Sequence, residues 1–390
     1  MNVSEATFAL FRSAFFGTEL SAAEKEGISV PAFPEIYRLS RRFDMTNLVA
    51  AALEKNDFLP EETRMREFFL EELHFSVMRY EQLQYEHQQI CELFEKEKIP
   101  FIPLKGAVLR AHYPEPWMRT SCDIDVFVRE EDMDRAIEAL EGALLYEKTM
   151  STKHDVSLYA KSGVHLELHH RLLEDSEALH RDERVNTLLS KIWEFTKPCE
   201  GESYHKELLD EFFYFYHIVH MAKHFVCGGC GVRPFLDLQV LKRIPHDEEK
   251  RSALLKEGGL ERFAAAVEKL STIWFEGAPT DELSQSMAEY ILGAGMYGDF
   301  ENRVVIQKRK KGSKRKYVLG RIFLSKSELK RRYPKVAKSP WKAPFYQMRR
   351  WFNPLFGKKS KQRSLQELKT ISNKNEKQDK VYALLRELGF

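Results

Sequence analysis

Residues 101–128, FIPLKGAVLRAHYPEPWMRTSCDIDVFV, hold an apolar run that ends in Lys105-Gly106 and a second run headed by Asp123-Ile124-Asp125. Side chains alternate along a strand, so the two acids project together with α-carbons about 6.6 Å apart, while Ile124 turns the other way. Val126, Phe127 and Val128 are β-branched or aromatic, which puts the acids on a strand that favours burial. Two carboxylates at that spacing suit a pair of divalent cations about 3.5–4 Å apart. A hard cation that prefers oxygen would also relieve the cost of burying them.

A third acid is expected from the alternating run 164–169, VHLELH, which reads as a strand with Glu167 on the same face as His165 and His169. Between the two strands, 131–142 has helical spacing in Met133, Ile137 and Leu140, and 143–150 and 154–161 read as shorter strands. Upstream, 61–97 reads as one long helix with Phe68, Leu73, Phe75, Met78, Leu83 and Ile90 toward a core, ended by Pro100 and Pro103. The order from residue 61 is therefore helix, strand, helix, strand, helix, strand, strand, strand. This predicts an α+β fold, a small mixed β-sheet core surrounded by helices.

The hydrophobic-Lys-Gly, the Asp-hydrophobic-Asp and the later hydrophobic-Glu-hydrophobic are similar to the signature of the polymerase-β-like nucleotidyltransferase superfamily. The longer string KGAVLRAHYPEP, Arg119, CDIDVFV, LELHH and HIVHMAKH with GVRPFLDLQVL resembles a bacterial family of uncharacterised nucleotidyltransferases, over roughly residues 60–350. The resemblance implies that Asp123 and Asp125 hold Mg2+, and that Glu167 completes the site or activates the attacking hydroxyl of an unknown acceptor. It also implies a nucleoside triphosphate bound at Lys105, Gly106, Arg119 and His169. Gly106 would admit backbone amides to the triphosphate at the start of a helix over 107–112, and Arg119 would neutralise the leaving pyrophosphate. In one respect the chain departs from the pattern: Ala107 follows Gly106 where Gly-Gly or Gly-Ser is usual, and residues 107–122 make a longer gap before Asp123.

Each of these residues has a plainer reading. Lys105-Gly106 is also an ordinary strand-to-helix turn, Arg119 can pair with Asp123, and the histidines can be core or surface residues. Two other functions compete: a sugar-nucleotide glycosyltransferase, disfavoured by the helical residues 1–97, and a catalytically inactive nucleotide-binding or scaffold protein. Glu167 discriminates, because the inactive reading gains if it lies far from Asp123 and Asp125.

His217, His220 and His224 lie on the helical run EFFYFYHIVHMAKHF, followed by Cys227-Gly-Gly-Cys230. His220, His224, Cys227 and Cys230 could form a tetrahedral zinc site. The alternatives are a glycine-rich helix end with buried thiols, or a wall of histidines and Lys223 lining a nucleotide cleft.

At 390 residues and 43% hydrophobic content the chain can build two or three cores. The expected segments are 1–60, an N-terminal helical segment; 61–175, the nucleotidyltransferase core; 176–300, a helical domain; and 301–390, a basic C-terminal region. The start, MNVSEATFALFRSAFFG, lacks signal-peptide character, no run is apolar enough to span a membrane, and the five cysteines have no disulfide spacing. A cytoplasmic enzyme is expected, peripheral to a membrane if its basic region binds one. From 303 to 363 there are 22 Lys or Arg against one acid, Glu328, interleaved with aromatics, so the rest of the chain is net negative. That stretch is expected to meet an anionic membrane surface or another polyanion, or to dock on the acidic body. Phe345, Met348, Trp351, Phe352 and Phe356 recur at near-helical spacing, interrupted by Pro354. Residues 304–307 and 317–324 read as two strands of a basic hairpin, and a short helix is expected around 381–388.

Overall fold

The computed structural model describes residues 1–28, 33–173, 183–294, 302–306, 319, 323–324, 329, 333, 339–356 and 376–390. Four helices open the chain: α1 (Val3–Phe16), α2 (Ala22–Gly27), α3 (Phe33–Arg42) and α4 (Thr46–Lys55). Asn2 and Glu5 form a capping box that starts α1, and Gly17, at φ 68°, ends it. The long helix α5 (Thr63–Lys96) follows. Its buried stripe is Met65, Phe69, Leu73, Leu83, Ile90, Leu93 and Phe94. Phe75 and Met78, expected in the core, are 64% and 70% exposed instead. At 100° per residue they lie roughly 80° and 140° round the helix from Leu83, off the buried face.

The sheet elements come next: β1 (Phe101–Pro103), α6 (Gly106–Leu109), β2 (Asp123–Val128), α7 (Met133–Ala143), β3 (Glu147–Ser151), β4 (Asp155–Tyr159) and β5 (His165–His169). The five strands form one mixed sheet in the order β1-β2-β5-β4-β3. β2 and β5 run parallel, and the other three pairs are antiparallel. Ile124, Val126 and Val128 of β2, with Leu166 and Leu168 of β5, pack against Leu83, Ile90 and Phe94 of α5 and Ile137 and Leu140 of α7. One face of β2 and of β5 is thus consumed by this core, and Asp123, Asp125, His165, Glu167 and His169 are left on the other.

Helices continue as α8 (Glu183–Ser190), α9 (Asp210–Phe225), α10 (Arg233–Leu241), α11 (Glu248–Gly258), α12 (Glu261–Glu276) and α13 (Glu282–Ala294). The third segment is not wholly helical, however. β6 (Thr196–Pro198) and β7 (Lys206–Leu208) form an antiparallel hairpin that neither alternation nor β-branching announces. The N-terminal helices and α9 to α13 share one apolar core. Phe8 stacks on Trp274 at 4.9 Å between centroids, and Phe11, Phe15, Phe212, Phe215, Phe225, Phe235, Phe263 and Phe275 are fully buried. Truncating any one of these to alanine would cost about 3–5 kcal/mol.

Residues 302–306 are helical, so the strand expected over 304–307 is not formed there. Val305 and Ile306 join the large core and the Tyr382 hydroxyl donates to the Val305 carbonyl, so tertiary packing overrides β-branched preference. The second strand of that hairpin, 317–324, lies largely outside the described residues. Helix α14 (Ala343–Phe356) runs through Pro354 rather than stopping at it, and α15 (Glu376–Glu387) docks Leu384, Leu385 and the following Leu388 on the core. Among the described residues no helix is long and apolar enough to cross a membrane.

Candidate active site

The parallel pairing of β2 with β5 builds the site. Its register sets Asp123 opposite His165 and Asp125 opposite Glu167, so three carboxylates share the sheet face not taken by the core. Ligand atoms of Asp123, His165 and Glu167 lie within 4.8 Å of one another, and so do those of Asp125, Glu167 and His169. The donor set is dominated by carboxylate oxygens, with imidazoles beside them, and it fits a hard divalent cation.

The three acids differ electrostatically. Asp125, 7% exposed, accepts hydrogen bonds at Oδ1 from His169 Nε2 (2.8 Å) and Lys105 Nζ (3.3 Å). Burial pushes its pKa up, but Lys105 and His169 outweigh that and hold it well below the usual carboxylate range. Burial and the neighbouring Asp125 raise the pKa of Asp123, whose Oδ1 accepts from Ser121 Oγ at 3.1 Å. Glu167 is lowered chiefly by its hydrogen bond with His169, whose Nε2 lies 3.5 Å from Oε2. Burial lowers the pKa of His169, yet the two carboxylates raise it overall.

Lys105 reaches Asp125 because the Leu104 amide donates to the Asp125 carbonyl, which extends the β1–β2 pairing to the turn. The Lys105 backbone, at φ 43° and ψ −105°, sits where L-residues are seldom found. The helix expected over 107–112 is α6, a single turn, then a 3-10 turn Arg110–His112. One turn carries little dipole, so positive charge at the loop comes from side chains.

Gly106 is needed for a steric reason that the sequence did not disclose. A β-carbon there would lie 2.7 Å from Arg119 Nη1 and 3.4 Å from Arg110 Nη2. Arg119 does not pair with Asp123. Its Nε and Nη2 each hold Asp237 of α10 at 2.8 Å, and the Tyr113 hydroxyl donates to the same carboxylate at 2.7 Å, all buried. Only its Nη1 edge is turned to the loop. Arg110, missed from sequence, is 5% exposed and donates from Nε to the Gly106 carbonyl. Burial and the adjacent Arg119 push its pKa down to about 10. Arg79, Tyr80, Arg110, Arg119 and Ser121 line a cavity of about 300 Å3 beside Asp123.

Helix α9 closes the other side. Tyr216 hydrogen-bonds Lys105, and burial drives its pKa up to about 12. His220 and His224 have Nε2 atoms 3.1 Å apart, and burial with Lys105 and Lys223 nearby keeps both uncharged. His220 and His224 thus lie near Lys105, ahead of the glycine-rich end of α9. The zinc constellation is not assembled, since no cluster of three ligands among the described residues contains His220, His224, Cys227 or Cys230. Instead Gly228, Gly229 and Gly231, all at positive φ, turn the chain sharply after α9 and leave Cys230 buried.

A sequence model of a family described as uncharacterised nucleotidyltransferase matches residues 31–276. The chain belongs to that family. The matched span holds β1 to β5, the three acids, Lys105 and Asp237, so the nucleotidyltransferase region includes helices α3, α4 and α9 to α12 as well as the sheet. No curated protein and no solved structure matches the chain.

Proposed function

We propose that this nucleotidyltransferase moves a nucleotidyl group from a nucleoside triphosphate to an acceptor hydroxyl or phosphate, with Mg2+ held by Asp123, Asp125 and Glu167. The observation that carries the reading is the β2–β5 register, which brings a carboxylate from a distant strand beside the Asp-x-Asp pair. That convergence counts against the inactive alternative. Bound divalent cations would supply electrostatic stabilisation at the α-phosphoryl group and acidify the acceptor hydroxyl. Lys105 and His169 keep Asp125 ionised through Oδ1, leaving Oδ2 as the ligand oxygen. Glu167, with its lowered pKa, is a carboxylate at neutral pH, available to the cation or to the proton of the acceptor hydroxyl. Lys105, the Nη1 edge of Arg119 and the buried guanidinium of Arg110 supply positive charge on the triphosphate side. Incubation with each α-labelled triphosphate and Mg2+, alone and with cell extract, should label an acceptor. Asp123→Asn and Asp125→Asn should each abolish labelling, and full activity in either variant would remove the reading.

We also propose that the basic region, residues 303–363, meets an anionic membrane surface through α14. On and beside that helix Trp341, Phe345 and Met348 are 78%, 61% and 49% exposed, next to Arg349. Flotation with phosphatidylserine liposomes at low salt should carry the protein upward. Failure to float there would refute it.

A further inference from the structure

A second cluster of metal-ligating side chains lies where the turn between β3 and β4 meets the end of β5. Ligand atoms of His154, Asp155 and His169 fall within 4.8 Å of one another, and all three residues are buried. Asp155 heads β4 and stands directly opposite His169 in the antiparallel β4–β5 register, so the two share a face of the sheet. His154 is fixed beside them from both sides. Its carbonyl accepts from the amides of His170 (2.9 Å) and Arg171 (3.2 Å). The Thr152 hydroxyl oxygen accepts from the amides of His154 and Asp155, each at 3.2 Å.

Thr152 also decides which nitrogen His154 presents. The single hydroxyl proton goes to Asp155 Oδ1, so His154 Nδ1, 2.7 Å from the same hydroxyl oxygen, is the donor there. His154 Nε2 is thereby aimed at Asp155 Oδ2, 3.2 Å away. With Nδ1 carrying the ring proton, this buried nitrogen and carboxylate oxygen need a positive centre between them, a proton or a metal ion. Ligands bound at about 2.0–2.1 Å to a tetrahedral ion lie about 3.3 Å from each other, close to the separation of this pair. His169 supplies the third donor. Its Nε2 is held by Asp125 at 2.8 Å, the carboxylate-to-imidazole contact that orients metal-binding histidines through their other nitrogen.

We infer that His154 Nε2, Asp155 Oδ2 and His169 Nδ1 bind one zinc ion behind the acid face. Two imidazoles and one carboxylate are a three-ligand zinc set with a fourth position left open. The nitrogen donors favour zinc over Mg2+, whereas the oxygen-rich cluster of Asp123, Asp125 and Glu167 favours the harder ion. Zinc on Nδ1 would make His169 Nε2–H a permanent donor to Asp125, so the ion would position a residue of the acid site from the neighbouring strand. The inference stands apart from the nucleotidyl-transfer reading, because zinc is read directly and not through activity.

The test uses the full chain, purified without chelator or histidine tag, then stripped and titrated with Zn2+ and with Co2+ in excess Mg2+. About one equivalent of zinc is expected, and Co2+ should give visible d–d absorption without a thiolate charge-transfer band. That absorption should be lost in His154→Ala and Asp155→Asn and kept in Asp123→Asn, which separates the two sites. X-ray absorption at the zinc edge of the loaded wild-type protein needs no variant and should show two imidazoles and no sulfur. A zinc stoichiometry near zero would mean that His154 and Asp155 share only a proton, and it would overturn the inference. Sulfur among the ligands, cobalt absorption that persists in His154→Ala and Asp155→Asn, or its loss in Asp123→Asn would each do the same.

Discussion

Gly106→Ala tests how the phosphate-side loop is built. The new methyl group would lie 2.7 Å from Arg119 Nη1, where ordinary contact begins at 3.4 Å. A loose arginine tip would swing aside at little cost. This one is held by two 2.8 Å bonds to Asp237, itself bonded by Tyr113 at 2.7 Å, with Arg119 9% and Asp237 1% exposed. Relief needs a shift of about 0.7 Å, which would stretch both bonds beyond the usual 3.2 Å limit. Overpacking costs about 1–3 kcal/mol, and hydrogen bonds to charged groups are worth about 1.5–3 kcal/mol, so a loss of about 2 kcal/mol is expected. Urea unfolding should show a lower midpoint at unchanged slope. In an Arg119→Met/Asp237→Leu background, where an apolar pair replaces the ions, the same substitution should cost less than about 0.5 kcal/mol. An equal penalty in both backgrounds would refute the steric account.

Lys105→Met leaves Asp125 with His169 as its cationic partner among the described residues and should destabilise by about 2 kcal/mol, below the range for a fully buried pair because the lysine side chain is 24% exposed; a change within about 0.5 kcal/mol by urea unfolding would show that the contact is weak. His224 is pushed down to about 3 by burial and by Lys223 and Lys105, so below its ordinary 6.5 the unfolded chain takes up a proton that the native chain does not, and stability falls as pH falls. His224→Gln should remove on the order of 1 kcal/mol of the loss between pH 6.5 and about pH 5, and an unchanged pH slope would contradict the assignment.

The acid face was legible because strand alternation is a local signal. Asp123 and Asp125 are two apart on a β-branched run, and 164–169 alternates the same way, so both faces follow from the sequence itself. The end of α5 ahead of Pro100 and the apolar stripe of α7 are equally local. What the sequence did not disclose depends on partners far along the chain. Arg119 meets Asp237 across 118 residues, so its role as a brace, and with it the steric need for Gly106, has no local mark. The strands β6 and β7 are three residues each, TKP and KEL, too short and too polar to show periodicity. Residues 304–306 read as strand because β-branched side chains favour it, but a helical core took them up.

The most direct test of the central claim is an anomalous difference map from crystals grown with Mn2+ and a non-hydrolysable nucleoside triphosphate. The account predicts manganese coordinated by carboxylate oxygens of Asp123 and Asp125, with Glu167 in the same cluster and the phosphates toward Lys105. Manganese bound elsewhere, with the triphosphate away from that sheet face, would contradict it.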